Sequence, residues 1–127
     1  MQSEENEKMY QKAKVRYDFE NDIFVASPLG RSYDSSFQIG DFIFDLDKNR
    51  NVNGIELLNA SKIFGIPKIF LKNMISGKLE VIVSKDLIRL DIQIKSKVRN
   101  TDKITSLSIE RVRPEFVSPT ELHLAIA

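Results

Sequence analysis

The chain contains no cysteine. That excludes disulfides, thiolate nucleophiles, zinc knuckles and iron–sulfur clusters together. A reducing, cytoplasmic location is the expectation that follows. No apolar run approaches the roughly 20 residues that a membrane-crossing helix needs. The first twelve residues, Met1 to Lys12, are polar and charged and lack the apolar stretch of a secretory signal. There is no G-x-S-x-G, no phosphate-binding glycine loop and no H-E-x-x-H. The only histidine, His123, alternates with Leu122 and Leu124 and should point to the surface. No catalytic residue and no cofactor is therefore expected. Aromatic residues are missing between Phe70 and Phe116. Without a stacking platform, that half does not read as an RNA-binding or single-strand-binding sheet.

What is present suits a single domain over residues 1–127, with 42% hydrophobic and 29% charged residues. Charge is unevenly placed. Residues 1–61 hold 7 basic and 11 acidic side chains, and residues 62–127 hold 12 basic and 7 acidic. Either the basic half faces a polyanion, or the halves attract each other within a chain or between subunits.

Hydrophobic periodicity supplies the elements. Residues 1–11 read as flexible or as a short helix. K-V-R-Y-D and D-I-F-V-A-S form a hairpin around F-E-N. Apolar parity switches at Gly40, which predicts a turn or bulge there. V-N-G-I-E-L-L continues as a strand. From Asn59 to about residue 76 the spacing turns helical. Asn59 would cap a first short helix, and Pro67 would start a second. Ile69, Phe70, Met74 and Ile75 would form its buried face, with Gly77 as the stop. Residues 78–127 form a second meander. Ile88, Leu90, Ile92 and Ile94 alternate with polar residues, as does the closing run at Leu122, Leu124 and Ile126. The expected architecture is α+β: two antiparallel β-meanders with a short helical segment, about 59–76, between them.

One stretch invites a metal. From Asp45 to Glu56, oxygen-bearing side chains fall at the ligand positions of a calcium-binding EF-hand loop. The sixth position of such a loop needs glycine, and here it is Arg50, whose Cβ disfavours positive φ. The flanks alternate like strands, so a hairpin with K-N-R-N at its tip explains the stretch better. Pairing Asp47 with Val52 sets Phe44 opposite Ile55 and Phe42 opposite Leu57. It also gathers Asp45, Asp47 and Glu56 on the other face, with Asp45 and Glu56 roughly 7–8 Å apart at Cα. These three are the candidate ligands of a divalent ion.

Two resemblances follow. Tyr17-Asp18-x-Glu20-x-Asp22, then Asp45-x-Asp47, Val52-x-Gly54-Ile55-Glu56-Leu57-Leu58 and Ala60-Ser61, resemble a family of small microbial proteins, domain of unknown function 2283. The likeness covers about residues 13–64. Phe19 stands where the family's pattern has proline after Tyr-Asp. The resemblance implies a hairpin, a further strand pair and a short helix starting at Ala60-Ser61. Some members resemble antitoxin-like partners of small toxins, which implies protein–protein interaction. Residues 60–78 resemble the last two helices of a Pipsqueak-type helix-turn-helix. In that reading Lys62, Lys68, Lys72 and Lys78 would contact phosphates.

The sequence is thus read as a small noncatalytic interaction or regulatory protein that forms a homodimer through strands or the apolar helix face, with a protein partner. The alternatives are a DNA-binding regulator using residues 60–78, and a metal-dependent activity at Asp45, Asp47 and Glu56.

Overall fold

A computed structural model describes residues 9–127. Its elements run β1 (Gln11–Asp18), β2 (Ile23–Pro28), β3 (Ser35–Ile39), β4 (Phe42–Leu46), β5 (Val52–Leu57), α1 (Ala60–Phe64), α2 (Lys68–Lys72), β6 (Met74–Val83), β7 (Leu87–Val98), β8 (Thr101–Val112) and β9 (Thr120–Ile126). The strands form one sheet in the order β3-β4-β5-β2-β1-β9-β6-β7-β8. Neighbours are antiparallel except β1 and β9, which run parallel through two residue pairs only, Gln11 with Leu124 and Lys12 with Ala125. The expected flexible start falls mostly outside the described residues, and Gln11 already opens β1.

This overturns the α+β expectation. The protein is mainly β, and its two helices have five residues each. The reason lies at residues 73–77. The i, i+4 apolar spacing there suggested helix, but long-range pairing decides otherwise. The second helix ends at Lys72, and β6 starts at Met74 and pairs with both β7 and β9. Leu71 is the buried residue of α2, while Ile69 and Ile75 are 41% and 46% exposed. Gly77 is no helix stop. It lies in β6 opposite Ile94, and a Cβ there would run into the Gln93 carbonyl oxygen.

One core serves the whole sheet. Phe24, Phe44, Ile55 and Leu57 from the first five strands share it with Leu79, Val81, Leu90, Ile94 and Leu124 from the last four. Each such side chain stabilises the fold by about 1.5–3 kcal/mol. The sheet curls around them, so that Phe116, following β8, packs edge-on against Phe37 of β3, and Ser118 donates to the Arg50 carbonyl. Phe37 itself stacks on its cross-strand partner Phe44.

Strand register follows the pattern closely. Ile39 pairs with Phe42 around a turn where Gly40 has φ 58°. Phe44 pairs with Ile55 and Phe42 with Leu57, as the aromatics require. An irregularity after Asp45 then pairs Leu46, not Asp47, with Val52. Arg50 adopts φ 67° at the tip despite its Cβ. The left-handed conformation costs about 1–2 kcal/mol, and hydrogen bonds to Asp47 and Ser118 hold it. Among the described residues, no helix is long and apolar enough to cross a membrane.

Candidate functional site

The structure brings Asp45 and Glu56 together but adds a partner that the sequence did not suggest. Asp45 is fully buried, and Arg31 Nη1 lies 2.6 Å from its Oδ2. Ser36 donates to the other oxygen at 2.8 Å. Gly54, opposite Asp45, makes room for this guanidinium, because a Cβ there would collide with Arg31 Nη1. The buried charge is thus compensated as a buried ion pair must be. Burial raises the Glu56 pKa, the neighbouring Asp45 charge adds to this, and Arg31 opposes it. Asp47 does not join them. Its Oδ1 accepts the amides of Asn49 and Asn51 and shapes the turn. Among the described residues, no three His, Cys, Asp or Glu side chains are grouped so as to hold a metal ion.

A second centre explains the tyrosine-aspartate pattern. Asp22, at φ 58° in the β1–β2 loop, is buried. Its Oδ1 accepts from the Tyr17 hydroxyl at 2.6 Å and from the Ser61 amide at 2.9 Å. Its Oδ2 accepts from the Ser61 hydroxyl at 2.6 Å, and its carbonyl accepts the Ala60 amide. Asp22, not Asn59, therefore provides the side-chain cap of α1. Asn59 makes no side-chain cap bond and takes a left-handed backbone. Burial opposes ionisation of Asp22, but the bonds from Ser61 and Tyr17 and the charge of Lys68 outweigh it and hold its pKa below the usual range. Burial raises the Tyr17 pKa, helped by the bond to Asp22. Asp18 shapes the loop after β1, accepting from the Asn21 amide and side chain.

The four lysines do not form one array. Lys68 and Lys72 converge on Phe19, with Nζ 5.5 Å and 5.2 Å from its ring centroid, and Lys68 also donates to the Phe19 carbonyl. Lys78 stands over Tyr10 from β6, and Lys62 is exposed on α1. The segment expected to be a recognition helix is five residues long and runs into the sheet.

His123 lies on the outer face of β9, yet only 12% of its side chain is exposed. Its ring nitrogens face Glu80 and Glu121, each at 3.0 Å, and Tyr10 packs edge-on against it. The Tyr10 hydroxyl donates to Glu80 at 2.6 Å. The group latches the start of β1 onto β6 and β9.

Residues 14–61 match the family described as Protein of unknown function (DUF2283). An uncharacterized protein of Methanocaldococcus jannaschii is 39% identical over 84 residues, which is 65% of this chain and 72% of that protein. A Methanosarcina mazei protein, provisionally named a hypoxanthine phosphoribosyltransferase, is 32% identical over 87 residues, 68% of this chain and 71% of that protein. No solved structure matches the chain significantly. The chain belongs to the DUF2283 family, whose function is unknown.

Proposed function

We propose that the protein is a noncatalytic interaction protein that self-associates by pairing β8 with β8 of a second copy. The observation that carries this reading is the outer edge of β8. The strand has twelve residues and ends the sheet, with no strand beyond it among the described residues. Its outer face carries Ile104 and Val112, which are 64% and 77% exposed. An antiparallel two-fold pairing keeps the same face outward in both copies, so paired residue numbers must add to an even value. Centring the two-fold axis on Ser108 sets Ile104 opposite the second copy's Val112, and Leu107 opposite its Ile109. No like charges oppose each other within that span. Leu87, which pairs with Val112 in the same chain and is 39% exposed, extends the apolar contact.

One strand pair buries less than the roughly 1,200–2,000 Å² of a stable complex, so association should depend on concentration. Sedimentation of the wild type should show a monomer–dimer equilibrium. Ile104→Asp should give a monomer with unchanged melting temperature, because the side chain is exposed within one copy. A strict monomer at high concentration, or an Ile104→Asp protein that still dimerises, would overturn the reading. Lack of cysteine supports a reducing compartment as the place of action. The phosphoribosyl chemistry named for the M. mazei relative needs a backbone cradle for pyrophosphate. Here both helices open without a glycine-rich loop, at Asn59 and Pro67, and no observation favours that chemistry.

A further inference from the structure

Between Glu56 and Glu80 the chain has four lysines and no acidic residue. Both helices lie inside this stretch. Successive residues of a helix are turned by about 100°. In α2 the residue that faces the core is Leu71. Ile69, two residues earlier, therefore points almost directly away from the core, and it is 41% exposed. Lys68 and Lys72, one turn apart, share one flank of the helix. Both ammonium groups lie against the ring of Phe19, which is 43% exposed. Half-buried Phe70 takes the other flank, and Lys103 of β8 lies over its ring. The crest of α2 is thus apolar along its top and cationic on both sides.

Nearby carboxylates do not cancel this charge. Asp22 is buried against Tyr17 and Ser61, and Asp18 is taken up by Asn21. Asp102 lies 4.0 Å from Lys95, which offsets it. Glu20, exposed beside Phe19, stands against Lys68, Lys72 and Lys103. Lys72 also borders the groove at Ala127, but a positive excess remains without it. Two features fit a flat anionic surface better than a nucleic-acid groove. α2 has five residues, or about 7.5 Å of length, too short to lie along a major groove. Its outermost side chain is an isoleucine, which phosphate contacts do not use. Apolar tips beside lysines are the pattern of a peripheral membrane contact. The tips enter the headgroup region, and the lysines meet anionic lipids.

We propose that the crest of α2, together with Phe19, binds the surface of an anionic lipid bilayer. Ile69 and Phe19 enter the interface, and Lys68, Lys72 and Lys103 lie among the headgroups. The proposal does not depend on pairing of β8 with a second copy. The test uses the full chain and two kinds of vesicle, phosphatidylcholine alone and phosphatidylcholine with phosphatidylglycerol. Binding is read by co-sedimentation. The chain should bind the anionic vesicles and not the neutral ones, and binding should weaken as salt rises. Lys72→Glu with Lys103→Glu should weaken it about 25-fold or more, at about fivefold for each lysine lost. Ile69→Ser changes no charge and should weaken it about fivefold, through the apolar surface it removes. Both variants should keep the wild-type melting temperature, since the three side chains are exposed. The proposal is overturned by no binding at millimolar anionic lipid or by equal binding to neutral vesicles. An Ile69→Ser protein that binds as the wild type does would mark a mere charged surface and overturn it. Tighter binding of duplex DNA, unchanged by Ile69→Ser, would assign the crest to nucleic acid and overturn it too.

Discussion

Replacing Asp22 by alanine removes the one carboxylate to which the Tyr17 hydroxyl, the Ser61 amide and the Ser61 hydroxyl all donate. A hydrogen bond to a charged group contributes about 1.5–3 kcal/mol. Three bonds to one acceptor do not add fully. Loss of a helix cap costs about 1 kcal/mol. Alanine at φ 58° is strained by about 1–2 kcal/mol, where aspartate is better tolerated. Together the loss is about 3–5 kcal/mol, a large part of the roughly 5–15 kcal/mol typical of a domain. With an unfolding entropy of about 2.1 cal/mol/K per residue, a loss of about 4 kcal/mol lowers the melting temperature of this chain by about 15 °C.

Circular dichroism melts and urea titrations measure this directly. The urea midpoint should fall with an unchanged slope, since the same surface is exposed. Acid provides a second readout. The folded pKa of Asp22 is depressed, so its contribution is present above the unfolded value of about 3.9 and is lost as pH falls through the folded value. Asp22→Asn keeps an oxygen acceptor and tolerates the left-handed backbone. It should cost less than alanine and should lose less stability than the wild type on acidification. A Tm for Asp22→Ala within about 2 °C of the wild type would refute the reasoning, because it would mean the three donors find partners elsewhere.

Three glycines should rank by what their missing Cβ would meet. Gly77→Ala drives a methyl into the Gln93 backbone and should cost about 3 kcal/mol in urea unfolding. Gly54→Ala meets the movable end of Arg31 but displaces it from buried Asp45, for about 1–3 kcal/mol. Gly40→Ala has open space and only its positive φ to pay for, about 1–2 kcal/mol. Glu56→Gln should raise the melting temperature at pH 7. The raised Glu56 pKa means that stability is lost as pH rises from the unfolded value through the folded one, so the two proteins should converge in acid.

Much of the sheet was legible because one-sided burial writes itself as alternation. Ile88, Leu90, Ile92 and Ile94 are all buried, and their polar neighbours face out. The pairing of Phe42 and Phe44 with Leu57 and Ile55 could be read because any slip by one residue would turn the aromatics to water. The helical reading failed over residues 73–76, beyond α2, because local spacing cannot report that β7 and β9 both wait for β6. The parallel contact of Gln11 with Leu124 has no local signature. Arg31 was also out of reach. It comes from a loop to meet Asp45, and the sole hint was Gly54 inside a strand, which marks close approach of another group. His123 lies on the outer face, as its alternation with Leu122 and Leu124 indicated. Its cover came from Tyr10 and Glu80, far away in sequence.

The residues that make the family recognisable are therefore clamps. Tyr17, Asp22 and Ser61 tie a loop to a helix, and Gly54 makes room for the pair of Arg31 and Asp45. All lie within or beside the matched segment 14–61, whereas β8 lies wholly outside it. Family membership thus speaks for the scaffold of the first half and leaves the β8 edge unconstrained.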